Sequence, residues 1–385
     1  MAGGNPMKIA VVHSYYASSA PSGENVAVDL QVAALRRRGH DVRVFSRATD
    51  DLASSRGYAL KAARNVALGI GPSPLSEIRR FAPDVIHVHN LFPNFASRWL
   101  DSAPAPVVAS LHNFRPLCAA GTLFRDGHDC LECPTSGSLR AVVHGCYRDS
   151  RTTTLPLAVA TRDSGIHNAV LSRAFRLVCL APRSARTYGE LRPDLKGKIA
   201  VVPNFVEDSA GLSAPPTNAP WLYVGRLSPE KGIADLVSAW PTDEPLRIAG
   251  SGPLESEIQR LAQGKQITVI GQVGPQDVRR ELQASVGLVF PSTWREGAAA
   301  LSYVEATSEG RATLAVGENA VTDDVREFGT GVVAADMTEV ARLASATRKD
   351  ARRLGGKARA RFEARFTEAA WLDAIETVYA AATGS

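Results

Sequence analysis

The chain has 385 residues, 45% hydrophobic and 22% charged, with a formal net charge of +5 and a pI near 9.0. That length exceeds one ordinary core and suits two domains, and the composition excludes a disordered or low-complexity chain. No apolar run approaches the roughly 18 residues of a membrane span. No basic block with interleaved aromatics occurs, which argues against nucleic acid as a partner; the mild basic excess fits a solvated surface or attraction to phosphates or an anionic membrane. The N-terminus lacks a basic segment followed by an apolar one, so a cytoplasmic protein with at most peripheral membrane contact is expected, as monomer or homodimer.

In chain order, residues 8–13 (KIAVVH) read as a buried parallel strand. Residues 25–38 read as a helix closed by Gly39. Strands follow at 41–46, 84–89, 106–111, 176–180 and 198–203. Residues 205–220 are polar and rich in Ser, Ala and Pro, and read as a linker. A second alternation begins at 221–225 and continues with strands at 246–250, 266–270, 286–291, 312–316 and 331–334. Helices at 232–240 and 276–284 fall between them. Residues 340–382 are nearly all helical in pattern, with Trp371, Ile375 and Tyr379 at helical spacing. Such order predicts an α/β fold of two domains, each with a parallel sheet and ligands beyond the carboxyl ends of the strands. The expected division is 1–204, a linker 205–219, 220–365, and a helix 366–385 packing back on the first domain. Two such domains facing across a cleft would place the site there.

The segment GRLSPEKG at Gly225–Gly232 carries two cations after a strand end. Arg226 offers a planar fork to phosphate oxygens and Lys231 a compact charge; together they suit a departing diphosphate. The segment PSTWREGAAALSYVE follows a buried strand and opens a helix. Free N–H groups at Gly297, Ala298, Ala299, Ala300 and Leu301 suit a phosphate or sugar oxygen. Glu296 and Glu305 bracket that turn. His112 follows the strand 106–111 and can hydrogen-bond a sugar hydroxyl as a neutral imidazole; His87 and His89 read as structural. Gly23, in the turn after the first strand, lets backbone amides approach a phosphate. No GxGxxG occurs there, which argues against a nicotinamide enzyme. Glu24 beside it reads equally as a ligand contact and as a helix-start acid.

These segments, with RRGHDV, DVIHVHN, VVPNFV, IAGSGPLE and GQV in the same order, resemble family-4 glycosyltransferases of the GT-B fold, two Rossmann-like domains facing across a cleft. The resemblance extends over nearly the whole chain. It implies retaining, metal-independent transfer from a nucleotide sugar, with UDP commonest and GDP the alternative. It implies that Glu305 meets the ribose, Glu296 and His112 the donor sugar, and Asn204, Gly225, Gly250, Gly252 and Val273 the nucleotide. The two glutamates are separated by eight residues here, Gly297 to Val304, against seven in the family. The acceptor would be a sugar, a lipid-linked sugar or a natural product. An epimerase or hydrolase on the same fold, and a non-catalytic nucleotide-sugar binder, are the competing readings.

Four of the five cysteines cluster: Cys118, Cys130, Cys133 and Cys146, spaced C-x11-C-x2-C-x12-C. The spacing is compatible with a structural zinc, with disulfides and with free thiols. Such an insertion would shape an acceptor pocket, and Arg115, Arg125, Arg140, Arg148 and Arg151 suit an anionic acceptor or a solvated surface.

Overall fold

The computed structural model describes residues 6–18, 22–208, 214, 218–295 and 297–384. The chain divides into two compact units. The first holds Met1–Arg125, Asp129–Pro203 and Trp371–Ser385; the second holds Asp126–His128 and Asn204–Ala370.

The first unit is built on six parallel strands: β1 (Lys8–Tyr15), β2 (Asp41–Ala48), β3 (Val85–Asn90), β4 (Val107–Leu111), β7 (Arg176–Cys179) and β8 (Ile199–Val201), in the order β2-β1-β3-β4-β7-β8. The short pair β5 (Phe124–Arg125) and β6 (His128–Asp129) stands apart from this sheet. Ile9, Ala10, Val11 and Val12 are completely buried, as a strand covered on both faces requires. The helix Gly23–Arg37 starts where the Ser22 hydroxyl accepts from the Glu24 N–H, and Gly39, at φ +98°, turns the chain away. Gly23 is therefore the first residue of that helix, not part of the loop before it.

The helix Glu368–Thr383 also belongs to the first unit from Trp371 onward. Its buried stripe is Trp371, Leu372, Ile375, Val378, Tyr379 and Ala382. Three polar contacts fix its register. Glu376 accepts from Arg38 at 3.0 Å and pairs with His40 at 3.1 Å, and the Tyr379 hydroxyl meets His87 Nδ1 at 2.7 Å. The other nitrogen of His87 lies 2.9 Å from the Ser110 hydroxyl, so this buried imidazole is satisfied on both sides.

The second unit repeats the plan with β9 (Trp221–Val224), β10 (Leu246–Ala249), β11 (Ile267–Gly271), β12 (Gly287–Phe290), β13 (Ala312–Val316) and β14 (Gly331–Ala334), in the order β11-β10-β9-β12-β13-β14, all parallel. Trp221, Leu236, Ile248 and Leu314 lie in its core on one side, and Leu288, Tyr303, Val321 and Phe362 on the other. Each such side chain contributes roughly 1.5–3 kcal/mol by burial. The segment read as a linker is not all solvated: Phe205 and Val206 are buried, and Asp208 accepts from Arg359 at 2.6 Å. Apolar side chains at the start of a polar stretch still find a core. No helix among the described residues is long and apolar enough to cross a membrane.

Candidate functional site

In the second unit β9 lies between β10 and β12, so chain order reverses at this point of the sheet. In open α/β sheets such a switch point is where ligands are received, beyond the carboxyl ends of the strands. The loop after β9 carries Arg226 and Lys231; the loop after β12 is 291–300. The two touch. Gly232 adopts φ +65°, and a Cβ on it would stand 2.2 Å from the Pro291 carbonyl oxygen. Lys231 Nζ lies 5.3 Å from the centre of the Trp294 ring. Arg226 is more exposed, at 57%, and its guanidinium stands 3.5 Å from Glu230, whose carboxylate accepts from Ser228 at 2.7 Å. Both cations thus sit at the carboxyl edge.

The loop after β10 packs beneath. Gly250 N–H donates to the Gly271 carbonyl at 2.7 Å, and Leu227 N–H donates to Ser251 at 3.0 Å. A Cβ on Gly250 would lie 1.9 Å from the Gly225 carbonyl oxygen, and one on Gly252 2.4 Å from that of Leu227. These glycines hold the cation loop down by backbone contact. Gln272 accepts from the Ser251 hydroxyl at 3.1 Å, and Val273 packs on the apolar cluster below.

The segment after β12 differs from expectation in one respect. Helix Leu301–Ser308 begins at Leu301, so Gly297, Ala298 and Ala299 precede it, and Ala300 caps it without a side-chain hydrogen bond. Ala299, Ala300 and Leu301 pack on the apolar cluster. Glu296 lies outside the described residues. Burial pushes the carboxyl of Glu305 up to about 7, against the pull of Arg279. Asn204 is buried and opens the second unit.

In the first unit a cavity of about 610 Å³ opens at the carboxyl edge of the sheet, lined among others by Glu24, His89, Asn90, His112 and Arg115. His112 Nε2 and His89 Nδ1 share a hydrogen bond at 3.1 Å. Burial brings His112 down to about 3 and His89 well below its ordinary value, so both are neutral imidazoles at pH 7. Glu24 lies under the same influence: burial raises it to about 8, while Arg115 and a hydrogen bond from Asn90 oppose the rise. Its Oε1 is buried without a partner. Arg115 stacks 4.3 Å from the Phe92 ring centre and donates to the Ala119 carbonyl. His89, which reads as structural in the sequence, and Asn90 are thus brought to the cavity. The register of β3 against β1 slips between Val12 and His13, where His13 pairs with Asn90 and His89 is skipped. A bulge of this kind re-aims side chains and leaves no trace in local sequence.

The four clustered cysteines influence one another. Burial, with help from the neighbouring thiols, raises Cys133 to about 12 and Cys146 to about 11. All five cysteines are free thiols, and among the described residues no group of three or more His, Cys, Asp or Glu is arranged to hold a metal.

Residues 21–210 match the model of Glycosyltransferase Family 4, and residues 220–350 match that of Glycosyl transferases group 1. The chain belongs to glycosyltransferase family 4. A D-rhamnosyltransferase, WbpZ of Pseudomonas aeruginosa, is 29% identical over 157 residues, which are 38% of this chain and 41% of that relative's length. Sucrose-phosphate synthase of Thermosynechococcus elongatus superposes with a TM-score of 0.69 at 18% identity, covering 97% of this chain and 98% of that one. Anabaena Alr3699/HepE in complex with UDP gives 0.59 at 15% identity, over 97% of this chain and all of the other. At these identities the likeness of the solved structures to this family-4 chain shows the fold, GT-B.

Proposed function

We propose that this family-4 chain transfers a glycosyl group from a nucleoside diphosphate sugar, UDP-linked in the first instance, to an acceptor hydroxyl, with retention at the anomeric carbon and no metal requirement. The observation that carries this reading is the pairing of Arg226 and Lys231 on one loop at the switch point of the second sheet, where that loop packs on the segment leading into helix Leu301–Ser308 at Pro291 and Trp294. Negative charge grows on the diphosphate as the bond to carbon breaks. Two fixed cations and oriented amides stabilise that charge more than the ground state, which is where a rate gain comes from. Glu305 takes the ribose hydroxyls. Gly225, Gly250 and Gly252 let the backbone lie close to the nucleotide, and Val273 borders the base. By the family resemblance, Gly23 serves the phosphates, and Glu296 and His112 the donor sugar. The UDP in the Anabaena neighbour supports a uridine nucleotide by analogy. Retention follows the family resemblance: the motifs place no protein nucleophile beneath the sugar, so the acceptor attacks the face the diphosphate leaves.

The acceptor is taken by the first unit's cavity. Its polar floor of His89 and Asn90, with Glu24, suits hydroxyl groups of a sugar. Thermal-shift screening of nucleoside diphosphates, followed by a mass-shift assay with candidate acceptors, tests the reading. Arg226→Ala and Lys231→Ala should each lower kcat by about 100-fold, given roughly 3 kcal/mol for a lost transition-state contact. Native rates in both variants would remove the role. Turnover by water or epimerisation without an acceptor would instead favour a hydrolase or epimerase, and tight donor binding without turnover a binding protein.

A further inference from the structure

Ten large apolar side chains are exposed among the described residues, and eight of them fall between Leu60 and Phe175 in the first unit. Scattered exposed leucines need no explanation; such a concentration does. The helix Tyr58–Leu68 packs beside Arg151–Ala160, which packs beside Leu139–His144. Each bears apolar side chains in water: Leu60 at 78% and Leu68 on the first, Leu155 on the second, Leu139 at 66% and Val143 on the third. Basic residues stand next to them. Lys61 and Arg64 flank Leu60 on an exposed stripe, Arg140 follows Leu139, and Arg151 lies one turn before Leu155.

The charge here is one-sided. Residues 56–70 and 137–176 carry nine Lys and Arg against two acidic residues, a net charge of +7. The whole chain carries +5, so everything else is slightly acidic. The surface continues to the cavity already described: Leu68 and Ile166, both at least half exposed, line it together with Arg98 and Arg162.

We propose that this face of the first unit docks on an anionic lipid bilayer, the aliphatic side chains entering the headgroup boundary and the Lys and Arg side chains meeting lipid phosphates. Protruding aliphatics ringed by cations need no shaped pocket in their partner, which suits a fluid surface. A second copy of the chain is disfavoured, because a two-fold pairing of this face sets like charges against each other.

The test uses the full chain in a flotation assay with vesicles of phosphatidylcholine alone and of equal parts phosphatidylcholine and phosphatidylglycerol. Binding to the mixed vesicles only, weakening with salt, is expected. Lys61→Glu with Arg64→Glu should lower partitioning by about tenfold or more. Leu60→Ser with Leu139→Ser should lower it at unchanged charge. Arg352→Glu with Lys357→Glu, the same charge change on exposed positions of the second unit, should alter it by less than about twofold. Four results would each overturn the proposal: no flotation with mixed vesicles, equal binding to both compositions, equal loss in the second-unit control, or a soluble dimer that the first-unit variants dissociate. The comparison of the two compositions with the native chain stands without any variant, and it involves no sugar nucleotide, so it is separate from the transferase reading.

Discussion

Glu24 is the residue whose environment departs furthest from what its position suggests. A glutamate in the first turn of a helix is ordinarily a solvated partner of the dipole. Here one carboxyl oxygen is buried without a partner, and burial lifts the group to about 8. A folded-state value above the unfolded one means that the protonated form is favoured in the native chain. Stability is then unaffected below about pH 4.5 and is lost as pH rises through about 8. Glu24→Gln, which resembles the protonated acid, should be more stable than the native chain by about 1–2 kcal/mol at pH 9, the residue being largely but not fully buried, with the gap closing near pH 4. Urea midpoints of the two proteins at both pH values check this. At this scale the site was unevenly legible. Arg226 and Lys231 lie within one eight-residue segment after a strand, so order along the chain was enough to place them at that strand's carboxyl end. Glu24, Asn90, His112 and Arg115 come from segments up to 91 residues apart, and only the pairing of β1, β3 and β4 gathers them.

At the scale of elements, the alternation of apolar runs with helical patterns marked both parallel sheets, because strands covered on two faces leave a nearly continuous apolar record. What it could not mark was register. Both sheets slip by one residue at their carboxyl edge, β3 against β1 at His89 and β11 against β10 at Ile270, and each slip adjoins a candidate ligand site. Nor did it separate apolar residues that are buried from those that are exposed: the helix Tyr58–Leu68 has an apolar pattern yet buries only Asn65 completely. The start of helix Leu301–Ser308 was misjudged because small residues are compatible with a helix and with the loop before it. Backbone packing yields the element-scale prediction. Gly250→Ala must move the Gly225 carbonyl, since φ +153° and a 1.9 Å approach leave no room for Cβ. The substitution should destabilise the second unit by about 1–3 kcal/mol and weaken binding of a nucleoside diphosphate by about tenfold, measured by calorimetry, while the melting of the first unit stays unchanged.

Over the whole molecule, histidine is distributed unequally. Residues 204–370 contain none, whereas His13, His87 and His89 lie buried and His112 largely buried in the first unit. Burial lowers all four, His87 and His112 to about 3. A histidine depressed in the folded state binds its proton more readily when unfolded. Stability is therefore full above about pH 6.5 and is lost as pH falls from there toward 3, by at most about 1.4 kcal/mol per pH unit for each group. Glu24 opposes these four in part within the first unit, and Glu305 works in that same opposite direction in the second, since a carboxyl raised to about 8 or 7 is relieved by protonation. Calorimetry at pH 8 and pH 5 should show the first unit's transition moving down by several degrees and the second's holding or rising. Parallel shifts of both transitions would contradict the assignment.

The helix Glu368–Thr383 has a bearing on biosynthesis. It closes over β3 through Tyr379 and His87, yet the ribosome delivers it only after the whole of Asn204–Ala370. During translation the earlier lobe must wait, its imidazole at His87 lacking the phenol that later covers it, while the lobe made afterwards can already be complete. A premature stop near residue 370 would therefore cripple the part of the protein synthesised first and spare the part synthesised last.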